Sequence, residues 1–214
     1  MKPIKFFRHS TCLLLVGCSS MNNKSPKGQI TGLLSPFLEG IRLNKILIHI
    51  SGNRVLDFGC GYGKLAGILK VKEYVGIDVD EMVLAAAREN YAGNNNVKFY
   101  HISRFNENMS KFDTVVMAAV IEHLDDAAST LRKLMDYLGE NGKIVITTPT
   151  PRANRVLKMG AKFKLFSRAG VEQHKSLFTE KDFIEISQLT GLQLVMYERF
   201  EFGLNQLVIY KKRN

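Results

Sequence analysis

Cysteine is scarce in this chain, acidic residues are missing from its start, and no apolar run is long. The three cysteines, Cys12, Cys18 and Cys60, are too few and too scattered for a disulfide framework or a four-ligand zinc site. A reducing compartment suits such a chain, so a cytoplasmic location is expected. No acid precedes Glu39, whereas Lys2, Lys5, Arg8, Lys24 and Lys27 all stand before it. The apolar stretch from Cys12 to Val16 is at the lower limit of a signal core and too short to span a membrane. Leu15-Val16-Gly17-Cys18 does have the form of a bacterial lipoprotein cleavage site, and the rival expectation is export with acylation at Cys18. Residues 1–28 are read as a basic lead-in and 29–214 as one folded unit. That length can bury about 70% of its unfolded surface around a single core.

The formal charge of +10 is uneven. Besides the lead-in, Arg152, Arg155, Lys158, Lys162, Lys164, Arg168 and Lys175 face only Glu172 within residues 152–175. Blocks of this kind attract phosphates, anionic headgroups or nucleic acid, and a solvated basic face is their simplest explanation.

Apolar residues from Leu33 to Ile50 recur at helical spacing, with Ser35-Pro36 as a start and Gly52-Asn53 as a stop. Further helices are expected at 64–71, 80–92 and 125–138, separated by strands at 54–57, 74–77, 97–102, 113–118 and 143–148. Such alternation marks a doubly wound, Rossmann-like α/β sheet with helices on both faces. Thr179 to Thr190 reads as another helix, capped by Thr179 with Asp182 three residues on and ended by Gly191. Leu192–Glu198 and Gln206–Lys211 then suggest an antiparallel hairpin. The expected sheet has seven strands, mostly parallel, with one antiparallel terminal strand.

The densest chemistry lies in Val55-Leu56-Asp57-Phe58-Gly59-Cys60-Gly61-Tyr62-Gly63. A strand runs into three glycines at alternate positions, which allows positive φ and lets the main chain lie against a ligand. The next strand ends at Asp78, nineteen residues after Gly59, where a carboxylate can accept the hydroxyl protons of a ribose. What is absent here is as telling. The G-x-G-x-x-G spacing of a dinucleotide fingerprint is broken at Lys64, which weakens a nicotinamide reading.

Asp57 with the glycines that follow it resembles the first motif of class I S-adenosylmethionine-dependent methyltransferases, and Gly76-Ile77-Asp78 resembles their second. The resemblance spans roughly residues 32–214 and implies S-adenosyl-L-methionine as cofactor. It implies that the glycine loop holds the methionine part and that the later acid holds the ribose. The cofactor-binding set is thus expected to be Asp57, Gly59, Cys60, Gly61, Asp78, Val79, Ser103 and Ala119. Ser103 stands where the family often has an acid that meets the adenine amino group.

Methyl transfer is chiefly a matter of alignment, and an oxygen or nitrogen nucleophile must also lose a proton. After the fourth strand, Val120-Ile121-Glu122-His123-Leu124-Asp125-Asp126 resembles the corresponding loop of small-molecule methyltransferases, including those acting on ubiquinone precursors. His123 is the expected base and Glu122 its orienting partner, although both residues could simply anchor the loop. That subgroup has further acidic and histidine ligands around the pair, matched here by Ala119 and Asp126, so no metal site is expected. A DNA amino-methyltransferase would carry Asn or Asp, two prolines and an aromatic at this point, and this chain does not. Residues 150–178 read as a basic insertion over the acceptor site, with Phe163, Leu165, Phe166 and His174 beside the cations. The expected activity is methylation, preferably at oxygen, of a small-molecule or lipid- or sugar-linked anionic acceptor, with peripheral membrane contact admitted. A non-catalytic module that binds the same cofactor and an RNA methyltransferase are the rival readings.

Overall fold

A computed structural model describes residues 35–105, 111–153 and 177–213. Its elements run α1 (Ser35–Leu47), β1 (Arg54–Phe58), β2 (Glu73–Asp78), α2 (Glu81–Asn90), β3 (Val97–His101), β4 (Phe112–Ala118), α3 (Ala127–Met135), β5 (Leu138–Pro149), α4 (Glu180–Thr190), β6 (Leu192–Phe200) and β7 (Asn205–Lys212). Seven strands form one sheet in the order β3-β2-β1-β4-β5-β7-β6. The first five are parallel, and β7 runs antiparallel to both neighbours. The reversed strand is last in the chain but lies inside the sheet, because the β6–β7 hairpin folds back to set β7 against β5.

Side chains alternate across the central strands. Leu56, Phe58, Val115, Met117, Ile144 and Ile146 face one side, where α3 and α4 cover them with Leu131, Leu134, Phe183 and Ile186. Val55, Val116 and Val145 face the other, under Ile46 of α1 and Leu84 and Ala87 of α2. Burial on both faces is why these strands read as unbroken apolar runs rather than alternating ones.

Two expectations need correction. Residues 64–71 form no α-helix but a string of turns. The Tyr91 hydroxyl donates to the Gly63 carbonyl at 2.8 Å, the acceptor that a continuing helix would offer to residue 67, and Ala66 N–H bonds the same oxygen three residues back. The fifth strand begins at Leu138 rather than 143, since Phe112 pairs with Leu138 before the register jumps to Thr114 and Lys143. The lead-in 1–28 and residues 154–176 of the insertion 150–178 lie outside the described residues.

Candidate active site

In a parallel sheet the ligand crevice lies beyond the carboxyl ends of the strands, near the point where strand order reverses. Here that point falls between β1 and β4. Every expected cofactor-binding and catalytic residue sits on this edge.

The glycine loop leaves β1 and turns back at once over β2. Gly59 and Cys60 both donate to the Ile77 carbonyl, at 2.8 and 3.1 Å. Gly59 has φ +79, and a Cβ there would lie 2.4 Å from Val120 Cγ2, so the loop and the segment after β4 touch only because that residue is glycine. Gly61 differs: its φ is +50, but nothing lies within 4 Å of where a Cβ would stand. The crevice is open at Gly61 and closed at Gly59. The Cys60 thiol is buried and turned inward, where it would meet a Cβ at Gly76 at 2.7 Å. Burial pushes its pKa well up, which makes it an inert packing group.

Asp78 Oδ2 accepts from Gly61 N–H at 2.9 Å, while Oδ1 accepts from Val79 and Asp80 N–H at 2.7 and 3.0 Å. A carboxylate has about four acceptor directions. Three are spent on ordering the two loops, and one is left for a ligand hydroxyl. Asp57 is 3% exposed; its Oδ2 accepts from the Tyr74 hydroxyl at 2.6 Å, and its Oδ1 has no hydrogen-bond partner. Burial raises its pKa to about 6, against the lowering effect of the Tyr74 hydrogen bond, with the Asp78 charge pushing further up.

Beyond β2 the half-exposed His101, the last residue of β3, lies opposite Asp78 in the sheet register. Its ring bonds the Val79 carbonyl and the Ser103 hydroxyl, so two predicted contact residues from different loops meet through a third that was not predicted. The signal was available: a histidine stood two residues before Ser103 at the end of a strand. After β4, Ala119 takes φ +56 and its N–H reaches the Thr147 carbonyl at 2.8 Å. A positive φ at a residue other than glycine marks backbone held by its surroundings. Glu122 is buried, with Oε2 accepting from the Thr148 hydroxyl at 2.8 Å and Oε1 unpartnered. That carboxylate is anchored on β5. His123 follows in the same 3₁₀ turn, Ile121–His123, and is exposed. Asp126 caps α3, accepting from Ser129 N–H at 2.8 Å. Among the described residues no group of three or more His, Cys, Asp or Glu side chains is placed to hold a metal ion.

The far end of the edge is apolar. Asn205 pairs with Pro149, and the Thr150 hydroxyl donates to the Gly203 carbonyl at 2.7 Å, so the β6–β7 turn stands beside the end of β5. Between that turn and α1 runs a groove of about 400 Å³ lined by Phe37, Leu38, Ile41, Phe200 and Phe202. Positive φ at Glu201 and Phe202 holds the Phe202 side chain fully out of the protein.

These donors and acceptors suit one kind of nucleotide. A pyrophosphate needs free N–H groups at a helix N-terminus, but here the loop amides of residues 59–61 are committed to Ile77 and Asp78 and no helix follows. Asp78, with one acceptor direction to spare beside the opening at Gly61, fits a ligand that carries hydroxyls, and the buried Asp57 adds a second carboxylate beneath the loop. The match to a family model agrees: residues 34–197 fit a methyltransferase domain. The chain belongs to the methyltransferase domain family. Two curated relatives are ubiquinone biosynthesis O-methyltransferases. That of Aeromonas salmonicida is 27% identical over 66% of this chain and 63% of its own length. That of Photobacterium profundum is 27% identical over 77% of this chain and 74% of its own. The chain therefore spans less than two thirds of the first of them. Among solved structures, magnesium protoporphyrin IX methyltransferase from Synechocystis, determined with bound SAH, superposes with a TM-score of 0.60 at 17% identity, covering 88% of this chain and 90% of that one. The family's Rossmann-like sheet with its reversed seventh strand is thus the fold found here.

Proposed function

We propose that this methyltransferase-family chain transfers a methyl group from S-adenosylmethionine to a small-molecule acceptor, at oxygen, in the cytoplasm. The observation that carries the reading is the double use of Asp78, which orders the glycine loop through Gly61 N–H and keeps one acceptor direction for a ribose hydroxyl. When bound, the cofactor supplies an electrophilic methyl on sulfur. Gly61 leaves room for the methionine part, the orphaned Asp57 oxygen offers it an anionic neighbour, and Val120 closes the loop from the β4 side. His123 receives the proton of the acceptor hydroxyl, while Glu122 holds the turn on β5.

Two features support an acceptor that is partly apolar and partly anionic. The groove along α1 and Phe202 suits an apolar body, and the cations of residues 152–175 suit a carboxylate or phosphate. The names of the relatives favour oxygen as the methylated atom and a quinone precursor as one acceptor worth assaying.

The test is calorimetric titration with S-adenosylhomocysteine, followed by transfer of isotopic methyl into a fractionated extract. Asp78→Ala is expected to weaken cofactor binding about 100-fold, through loss of the ribose contact and of loop order. His123→Gln is expected to lower kcat about 10²- to 10³-fold while leaving cofactor Kd within about twofold. No heat from the wild type removes the reading altogether. Binding without label transfer would leave a cofactor-binding module, and label in RNA would make nucleic acid the acceptor.

A further inference from the structure

The carboxyl end of β5, on the side covered by α1, holds polar atoms that nothing in the protein satisfies. Among the described residues seven buried side-chain polar atoms lack a hydrogen-bond partner, and four belong to this corner: Arg42 Nε, Thr147 Oγ1, Glu201 Oε1 and Asn205 Oδ1. A buried polar group left bare costs stability, so several in one place point to a ligand that completes them. Thr147 and Asn205 are 0% and 6% exposed. Each stands two residues from a side chain packed under α1, Val145 and Leu207 respectively, and so faces the same way. Thr147 opposes Leu207 and Pro149 opposes Asn205, which makes Thr147 and Asn205 diagonal neighbours. Such neighbours stand about 7 to 8 Å apart, and one small group can reach both. Asn205 Nδ2 donates to Glu201 Oε2, leaving Asn205 Oδ1 and Glu201 Oε1 bare. Arg42 lies one helical turn before the buried Ile46, and its charge acts on the Glu201 carboxylate.

The turn that delivers Glu201 is strained. Glu201 and Phe202 take φ +50 and +56, and Gly203 follows at +78. Two successive left-handed residues other than glycine persist only where their surroundings impose them. Here the Thr150 N–H holds the Leu204 carbonyl at 2.8 Å and its hydroxyl holds that of Gly203 at 2.7 Å. The outcome is that Phe202 points to solvent while Glu201 lines the apolar groove beside α1. Resting on the proposed methyl transfer, we infer that this corner is a specificity site for the acceptor, which enters with a neutral, hydroxyl-bearing head and leaves its apolar body in the groove. Asn205, Glu201 and Thr147 accept from the head, and Arg42 Nε–H donates to its oxygen. A hydroxyl both donates and accepts, so it satisfies bare oxygens and a bare N–H alike. A carboxylate or phosphate head would set like charge against Glu201, so an anionic part of the acceptor belongs outside this corner.

The test titrates resorcinol and its dimethyl ether, 1,3-dimethoxybenzene, into the protein by NMR, with and without S-adenosylhomocysteine. The two share a ring and a substitution pattern and differ in donor protons. The ether is the more apolar, so a groove without a polar end would favour it. The wild type is expected to bind resorcinol about tenfold or more tightly than the ether. Glu201→Gln, which puts amide N–H groups where a bare oxygen stood, is expected to reduce that preference to about twofold or less. Thr147→Val removes a buried, unpartnered oxygen. It is expected to raise Tm by about 2 to 4 °C and to weaken resorcinol binding about fivefold. A merely structural threonine would not couple a gain in stability to a loss in binding. Equal wild-type binding of the two compounds, binding of neither up to about 10 mM, or an unchanged preference in Glu201→Gln overturns this inference. So does a Thr147→Val protein that gains stability and binds resorcinol as before. Each of these outcomes leaves the cofactor reading standing, which falls separately if S-adenosylhomocysteine gives no heat.

Discussion

Asp57 sits under the glycine loop with its carboxyl group buried, and its titration is a stability statement. Burial raises its pKa from the ordinary carboxylate value of 3.8 to about 6 in the folded protein. Between these limits the folded chain keeps a proton that the unfolded chain has released, so this group makes stability fall as pH rises through that window, by about 3 kcal/mol. Asp57→Asn is expected to remove that part of the pH dependence in urea unfolding at pH 4.5 and 7.5. Addition of S-adenosylmethionine should flatten the wild-type slope, because a cationic ligand near Oδ1 favours the ionised form. An unchanged slope in the variant would assign the dependence to other groups. At this scale Asp57, Gly59, Gly61 and Asp78 were legible because residue type and spacing together carry their chemistry. His101 was not, since its role comes from a sheet register that pairs it with Asp78 and from a hydroxyl two residues on. The Glu122 anchor on Thr148 was likewise hidden, because it joins the ends of two strands 26 residues apart in sequence.

Among the elements, α4 was the easiest to foresee. Thr179 Oγ1 accepts from Asp182 N–H at 3.4 Å, Asp182 Oδ2 accepts from Thr179 N–H at 2.6 Å, and Gly191 ends the helix at φ +77. Both ends are written in local sequence. Thr179→Ala is expected to cost about 1 kcal/mol and to lower Tm by about 2 to 4 °C in a calorimetric melt. Cofactor Kd should not move, since α4 covers the opposite face of the sheet from α1 and α2. The segment after the glycine loop shows the converse. Leu65 and Ala66 are buried as a helix would bury them, yet the Tyr91 hydroxyl competes for the Gly63 carbonyl from 28 residues away. No local pattern reveals such a competitor.

At the scale of the whole molecule, the excess positive charge falls into two blocks, and the second follows directly on the carboxyl end of β5. If that block reads an anionic part of the acceptor, reversing Arg152, Arg155 and Lys158 to Glu should weaken acceptor binding about tenfold at low salt and flatten its salt dependence, with cofactor Kd unchanged. A KM series at 20, 100 and 300 mM salt reads this, and a parallel fall of wild type and variant would show the block to be only a solvated face.

Alternating strands and helices, the capped helix α4 and a spaced set of glycines and acids are local matters of side-chain period, backbone freedom and hydrogen-bonding capacity. The amino-acid order alone was therefore enough to determine the fold class and the edge of the sheet on which the glycine loop and Asp78 meet. Tertiary structure decided what depends on distant groups meeting: the place of β7 inside the sheet, the loss of a helix to Tyr91, the orphaned oxygen of Asp57 and the bridge that His101 makes between Val79 and Ser103. Each arises where a hydrogen-bonding group finds or fails to find a partner across the sheet, and chain order does not encode which groups the packing will bring together.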